Sequence, residues 1–450
     1  MISALLCLLV CQEPTEGGVV TGRDRYSAVQ IELSGHFDIH YISRDGTINE
    51  AGTVINGAAP ASMSGTNAWA GRMSLRADAT VQDSVRGVLE LENLSFENGI
   101  NKPFSSNPTQ DTVLIKQGYV DAPDFLVSGL DLRVGVQTLT FRNRPQDEAF
   151  FMDLGESEAF FDGFNAAGAR ILNSVDRDVR EATGVRLQWS PNDFMVVDGA
   201  ALIYSENATA SRGESVYVLA VNSLLAEHWS AWILATVVTA GQPNLKQIET
   251  FGAGIDGYLG AERLVEVFLE IYGQTGVLTT VPFTVRKEAY AFNVGTRIMT
   301  EGGWAWIEPA FSERTGDRHP DDHHDQAFQS YENENRFLIL QSSEFGLDVD
   351  TNVRLARVAV GTGPLALAEG RPLRVQVDVG RFTAMQQLPQ AGSSRQWGLE
   401  TDLSLTWGYN ASLSFKFQGA ILWDSEVLGA LTATDRTQAY LLVVGADFRF

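Results

Sequence analysis

The sequence predicts an all-β protein: one antiparallel sheet of about eighteen strands, closed on itself into a transmembrane barrel with hydrocarbon outside and water inside. Three observations lead there. Apolar and polar residues alternate along segment after segment. The connectors between segments sort by parity into a short set and a long set. The stretch "QAYLLVVGADFRF" (438–450) lies in mid-alternation where a frayed polar tail would be ordinary.

The first segment shows the alternation plainly. In "VQIELSGHFDIHY", Val29, Ile31, Leu33, Phe37, Ile39 and Tyr41 alternate with Gln30, Glu32, Ser34, His36, Asp38 and His40. A period of two puts each set on its own face of a strand. "WGLETDLSLTW" repeats the pattern, with Trp397, Leu399, Leu403, Leu405 and Trp407 against Gly398, Glu400, Asp402, Ser404 and Thr406. The same reading gives strands at 29–41, 69–82, 85–98, 112–121, 130–141, 183–190, 194–204, 215–222, 229–239, 249–259, 263–273, 287–299, 303–312, 349–361, 372–383, 396–407, 411–423 and 437–450.

Between these strands the connectors test the idea. "DS", "APDFLVSG", "PND", "SLLAEH", "GAE", "TEG" and "GYN" fall on one side, with only "TGPLALAEGR" rather long. The other side receives 42–68, 99–111, 142–182, 205–214, 240–248, 274–286, 313–348, 384–395 and 424–436. Short periplasmic turns opposite long extracellular loops are the signature of an outer-membrane barrel. A soluble sandwich or propeller has no reason to sort its connectors this way. Aromatic residues at strand ends on the apolar face (Tyr41, Trp69, Phe141, Trp397, Trp407, Phe448, Phe450) fit interface girdles. The expected location is the cell outer membrane, with its lipid as a partner.

In lipid no strand edge can stay unpaired, so the last strand is expected to zip to 29–41. Tyr440, Phe448 and Phe450 would then form the closing edge. A terminal Phe after alternating apolar residues resembles the carboxyl-terminal signal of bacterial outer-membrane proteins, read by the β-barrel assembly machinery.

Composition narrows the partners. Lys+Arg number 33 against 56 Asp+Glu, a net charge of −23, which excludes nucleic acid as a natural partner. Among the cations Arg outnumbers Lys 28 to 5, and Arg is the residue for bidentate recognition of carboxylates. Both cysteines, Cys7 and Cys11, lie within "MISALLCLLVC". Residues 1–14 read as an export signal without the usual positive start or Ala-x-Ala site, a buried apolar strand being the alternative. Residues 15–28 read as a lead-in and 29–450 as a single barrel domain. Nowhere else is there a run of the ~18 apolar residues that a membrane helix needs.

A barrel of this size leaves a lumen wide enough for water, so a pore is the expected function and its inward side chains set selectivity. Parity places Arg72, Arg76, Arg133, Arg186, Arg297, Arg354, Arg374 and Lys416 on the lumen, with Glu90, Asp198, Asp256, Glu266, Glu270, Asp378 and Asp402 facing them. The loop "FRNRPQDEAFFMDLGESEAFFDGF" starts with Arg142 and Arg144 and carries two Phe pairs. Those aromatics either anchor it inside the barrel or pack it as an external cap.

Sharper chemistry finds less support. "HPDDHHD" (319–325) mixes carboxylates with imidazoles and specifies neither a hard nor a soft ion, so no metal or cofactor is expected. His36 and His40 share a face with Asp38, but the outer two Cα atoms lie ~13 Å apart. No serine or cysteine nucleophile is visibly paired with them, and no enzymatic activity is expected.

Four stretches resemble the alginate-export family of outer-membrane porins. "LRVGVQTLTFRNR" is similar to that family's strand-to-loop segment built on Gly-Arg-Gln, and "FFDGF" (Phe161, Asp162, Gly163) to its loop-closing Phe-Asp-Gly. "ERTGDRHPDDHHDQAFQSY" resembles its Gly-Asp motif before a long external loop, through Gly316, Asp317, Pro320, Asp322 and Phe328. Gly398, Glu400 and Asp402 match its late strands. Val136 stands where the family usually has Arg, one cation fewer. The resemblance implies an eighteen-stranded barrel that passes an anionic polysaccharide or other anionic solute with no chemical step. The alternatives are a general or substrate-specific diffusion porin for small nutrients and, last, an outer-membrane hydrolase.

Overall fold

The computed structural model describes residues 29–48, 63–81, 85–96, 113–137, 161–164, 170–172, 182–204, 215–240, 245–260, 262–280, 283–317, 323–329, 337–341, 349, 351–366, 371–386, 394–428 and 437–450. The expected export signal and lead-in, and Arg142 and Arg144, lie outside these residues.

Eighteen antiparallel strands form one sheet, each paired with its sequence neighbour. The first nine are β1 (Val29–Ile48), β2 (Met63–Val81), β3 (Val85–Phe96), β4 (Val113–Ala122), β5 (Leu130–Gln137), β6 (Ala182–Asn192), β7 (Met195–Tyr204), β8 (Ser215–Ala226) and β9 (Trp229–Ala240). The second nine are β10 (Leu245–Leu259), β11 (Val265–Thr280), β12 (Phe283–Met299), β13 (Ala305–Arg314), β14 (Val353–Thr362), β15 (Pro372–Thr383), β16 (Gln396–Gly408), β17 (Leu413–Trp423) and β18 (Ala439–Arg449). Two short pieces, His324–Asp325 and Leu365–Ala366, join the sheet, and Phe161–Phe164 with Arg170–Leu172 forms a separate hairpin.

The sheet closes where expected: β18 pairs antiparallel with β1, from His36 opposite Arg449 to Asp45 opposite Tyr440. Gly35 and Phe450 extend the seam with two backbone hydrogen bonds, Gly35 N–H to Phe450 O at 2.8 Å and Phe450 N–H to Gly35 O at 3.0 Å. The Phe450 ring lies over Gly35, and a Cβ there would stand 2.2 Å from its Cζ. Gly35→Val is therefore expected to unseat the ring, at roughly 1–3 kcal/mol. The temperature at which the compact band is lost in heat-modifiability gels should fall; no change would show that the ring contact is dispensable.

The two faces meet opposite solvents. Ile233, Ile203, Phe251 and Leu219 are more than half exposed, whereas Glu308 and Glu400 are fully buried. That inversion of a soluble core follows when lipid bathes the outside. Exposed aromatics gather at both ends of the outer face. Trp189, Phe194, Trp304, Tyr409 and Phe448 sit near the short turns, and Tyr217, Tyr290, Trp423 and Tyr440 towards the long loops. Among the described residues no helix is long and apolar enough to cross a membrane.

Two connectors read as long loops are strand instead. β10 begins at Leu245 and β11 and β12 run on to Thr280 and Phe283, so 240–248 and 274–286 belong mostly to extended hairpins. At ~3.3–3.4 Å per residue these strands outrun the ~25 Å apolar band of an outer-membrane barrel. Water on both sides of the projecting part erases the alternation by which a strand is recognised.

Candidate functional site: the inner face of the barrel

Alternation carries the inward side chains to the lumen, and most of the expected ones arrive. Arg76, Arg133, Arg186 and Arg297 meet carboxylates of neighbouring strands (Glu90, Asp121, Asp198 and Glu308) on the inner face, and Arg374 and Lys416 share the parity of the buried Asp378 and of the buried Ala420 and Leu422 on their strands. Arg72 sits opposite Asp38 in the β1–β2 register, and its side chain lies outside the described residues. Arg354 is a correction. On β14 Leu355, Arg357 and Ala359 are buried while Arg354, Val358 and Val360 are exposed, so Arg354 points outward. There its Nε donates to Glu313 at 2.6 Å, and the Tyr290 hydroxyl donates to the same carboxylate at 2.8 Å. The inward cation is Arg357, which parity missed because "VRLARVAV" is apolar on both faces.

The inner arginines are not free charges. Arg76 meets Glu90 and Asp78, Arg133 meets Asp121 at 2.6 Å, and Arg186 is bound by Asp198. An alternating arc crosses five strands: Arg297 lies 3.9 Å from Glu266 and 2.6 Å from Glu308, and Arg357 lies 2.5 Å from Glu308 and 3.7 Å from Asp378. The β11–β12 register, with Glu266 opposite Arg297, makes the first of these a direct cross-strand pair. Arg297 also lies over the Trp306 ring, 4.9 Å from its centroid.

The stretch 313–348, read as an external loop, enters the barrel in its described parts. Its first anchor is on β11 and β12. Lys287 Nζ donates to Asp325 Oδ2 at 2.8 Å and to the Ala327 carbonyl, while Gln274 exchanges hydrogen bonds of 2.8 Å with the backbone of Gln329 in both directions. Phe328 packs 6.3 Å from the Tyr272 ring. The second anchor is on β16. Consecutive backbone N–H groups turn towards two inward carboxylates: Leu338 donates to Asp402 at 2.9 Å, Ile339 to Glu400 at 2.6 Å and Leu340 to Glu400 at 2.8 Å. Such a run of N–H groups makes an anion-binding concavity, filled here by the wall's own side chains.

Apolar packing completes that anchor. Phe337, Ile339 and Leu340 join Val353, Leu355, Phe382, Leu422 and Leu441 in one buried cluster on the inner face of β14 to β18. Phe337 meets Phe382 edge-on at 4.9 Å. Gly398, at φ 132°, stands where the β15–β16 register shifts between Phe382 and Thr383. The motif Gly398, Glu400, Asp402 thus combines a bulge with the carboxylates that hold the infolded segment. "FLIL" (337–340), apolar inside an otherwise polar connector, was the signal in the sequence.

The histidines of "HFDIH" also find their place. His36 Nε2 lies 2.8 Å from Asp447 Oδ2, and Asp38 stands between His36 and His40 at 3.8 and 3.5 Å. They bridge β1 to β18 across the closing seam. Among the described residues no group of His, Cys, Asp and Glu is arranged to hold a metal ion.

A closed sheet with an apolar outer belt and a charged inner wall defines an outer-membrane β-barrel, and that is what this chain is. Its fold is similar to those of solved outer-membrane porins. Pseudomonas aeruginosa OpdO aligns at a TM-score of 0.55 and 13% identity, over 93% of this chain and 97% of that one. Acinetobacter baumannii OccAB1 gives 0.53 and 12%, over 97% and 99%. Pseudomonas aeruginosa OpdK, solved with vanillate, gives 0.54 and 10%, over 93% and 98%. No protein-family model and no curated protein matches the sequence.

Proposed function

We propose that the protein is a passive diffusion channel for small hydrophilic solutes, narrowed from within by the segment that carries residues 323–329 and 337–341. The observation that supports this most is the double anchoring of that segment, on Gln274 and Lys287 at one place and on Glu400 and Asp402 at another. A fixed internal constriction selects by size, which suits small solutes better than a polymer chain. OpdK's crystallisation with vanillate, a small carboxylate, is in keeping with this scale. Export of an anionic polysaccharide, the reading drawn from the motif resemblance, needs a ladder of free cations. Here Arg76, Arg133, Arg186, Arg297 and Arg357 already hold carboxylates. Liposome swelling with the detergent-purified barrel tests the proposal. Monosaccharides and amino acids are expected to enter and oligosaccharides of four or more units to be excluded; equal entry of both, or no entry of either, would overturn it.

A further inference from the structure

Arg354 does not stand alone on the outer face. On β15 Gly380 and Phe382 are buried on the inside and Val379 is exposed, so alternation puts Arg381 on the lipid side. In the β14–β15 register Ala356 is opposite Arg381 and Arg354 is opposite Thr383. The two arginines are diagonal neighbours, about 7–8 Å apart by the spacing of such pairs. Below them the same face carries Ala356, Val358 and Val360 on β14 and Val375, Val377 and Val379 on β15.

Height decides what these cations meet. Arg354 lies eight residues above Thr362, which pairs with Ala305 beside the Trp304 turn. At ~3.3 Å per residue and a tilt of ~40° that is ~20 Å along the barrel axis, close to the upper rim of the ~25 Å apolar band. The aromatic girdle gives the same level: Arg381 shares its row of strand partners with Leu399 and Trp423, and Tyr290 reaches Glu313 next to Arg354. Both guanidiniums stand at the external lipid boundary.

The protein leaves them short of acceptors. Glu313 is buried, and its two oxygens take Arg354 Nε at 2.6 Å and the Tyr290 hydroxyl at 2.8 Å. Among the described residues the terminal nitrogens of Arg354 have no partner. Arg381 meets no carboxylate there and donates only to the Gln396 amide oxygen, at 2.8 Å. Hydrocarbon supplies no water to complete the set, and a planar guanidinium fork matches a phosphate. The anion that stands at this height outside a barrel is the phosphate of a membrane lipid.

We infer that Arg354 and Arg381 clamp the phosphate of a phosphorylated lipid in the external leaflet, with Glu313 and Tyr290 fixing the Arg354 side of the clamp. Glu313 lies at the end of β13 and Arg354 at the start of β14, so the lipid braces the two strands whose connector folds into the lumen. The site is on the outer wall and does not depend on what the channel passes.

Native mass spectrometry of the detergent-purified full-length barrel with diphosphoryl lipid A tests it. Wild type is expected to retain the lipid on collisional activation. The retained fraction should fall about tenfold in Arg354→Gln/Arg381→Gln, which removes two cations that each favour an anionic lipid surface. Gln396→Glu keeps both cations but gives Arg381 a carboxylate of its own. It should also lower retention, with the compact gel band intact, which separates loss of the clamp from loss of the fold. Lipid A stripped of its phosphates should be retained poorly by every form. Equal retention of diphosphoryl lipid A by wild type and the compact variants, or good retention of the stripped lipid, overturns the clamp. Displacement of the lipid by millimolar inorganic phosphate would make this a site for free anions and overturn it too.

Discussion

Channels carrying Glu400→Ala are expected to conduct more current than wild type and to fluctuate between levels. The change removes the acceptors of the Ile339 and Leu340 N–H groups, at 2.6 and 2.8 Å. Such hydrogen bonds contribute about 0.5–1.5 kcal/mol each, so the anchor loses about 1–3 kcal/mol while Asp402 holds only Leu338. The apolar cluster of Phe337, Ile339 and Leu340 still favours the wall. The segment should therefore hop between docked and released positions without leaving for good. We expect open-channel noise and a mean conductance higher by roughly a factor of two. Glu400→Gln retains an acceptor oxygen and should fall between the two. If Glu400→Ala conducts as wild type with a quiet baseline, the segment is no part of the constriction.

The barrel was legible in the sequence because two solvents write it there. Every strand that touches lipid on one side and water on the other must alternate, and the eighteen were placed largely on that basis. Legibility failed where the solvents no longer differ. On the projecting ends of β10, β11 and β12 both faces meet water, and the strand signal fades. On β14 the inner face meets the apolar anchor cluster instead of water, so Leu355 looks outward and Arg354 inward until the packing is known. The infolded segment was hidden for a related reason. Loop composition announces exposure, whereas burial of 337–341 depends on Glu400 and Asp402, about sixty residues further along the chain. Sequence reading put Arg76, Arg133 and Arg186 opposite a set of carboxylates that included Glu90 and Asp198, but not which cation meets which carboxylate, because registry between strands cannot be read from either strand alone.

Arg357→Met is expected to be the most destabilising change on the inner wall. Glu308 is fully buried, with Arg297 and Arg357 on its two sides, and Asp378 beyond Arg357 is buried as well. Removing Arg357 leaves two buried carboxylates short of a cation. Breaking a buried ion pair from one side costs about 3–5 kcal/mol, and urea unfolding of the barrel from lipid vesicles should show a loss of that size. Arg354→Met, three residues away, is the natural comparison. Its side chain is half exposed on the outer face, and although its partner Glu313 is buried, that carboxylate keeps the Tyr290 hydroxyl as a donor, so the loss should be clearly smaller than for Arg357. The double variant Arg357→Met/Glu308→Gln separates charge from packing: taking away the stranded charge along with its partner should recover part of the loss. If the single and double variants unfold at the same urea concentration, the cost lies in the shape of the Arg357 side chain, and the arc from Glu266 to Asp378 is a row of neighbours without electrostatic coupling.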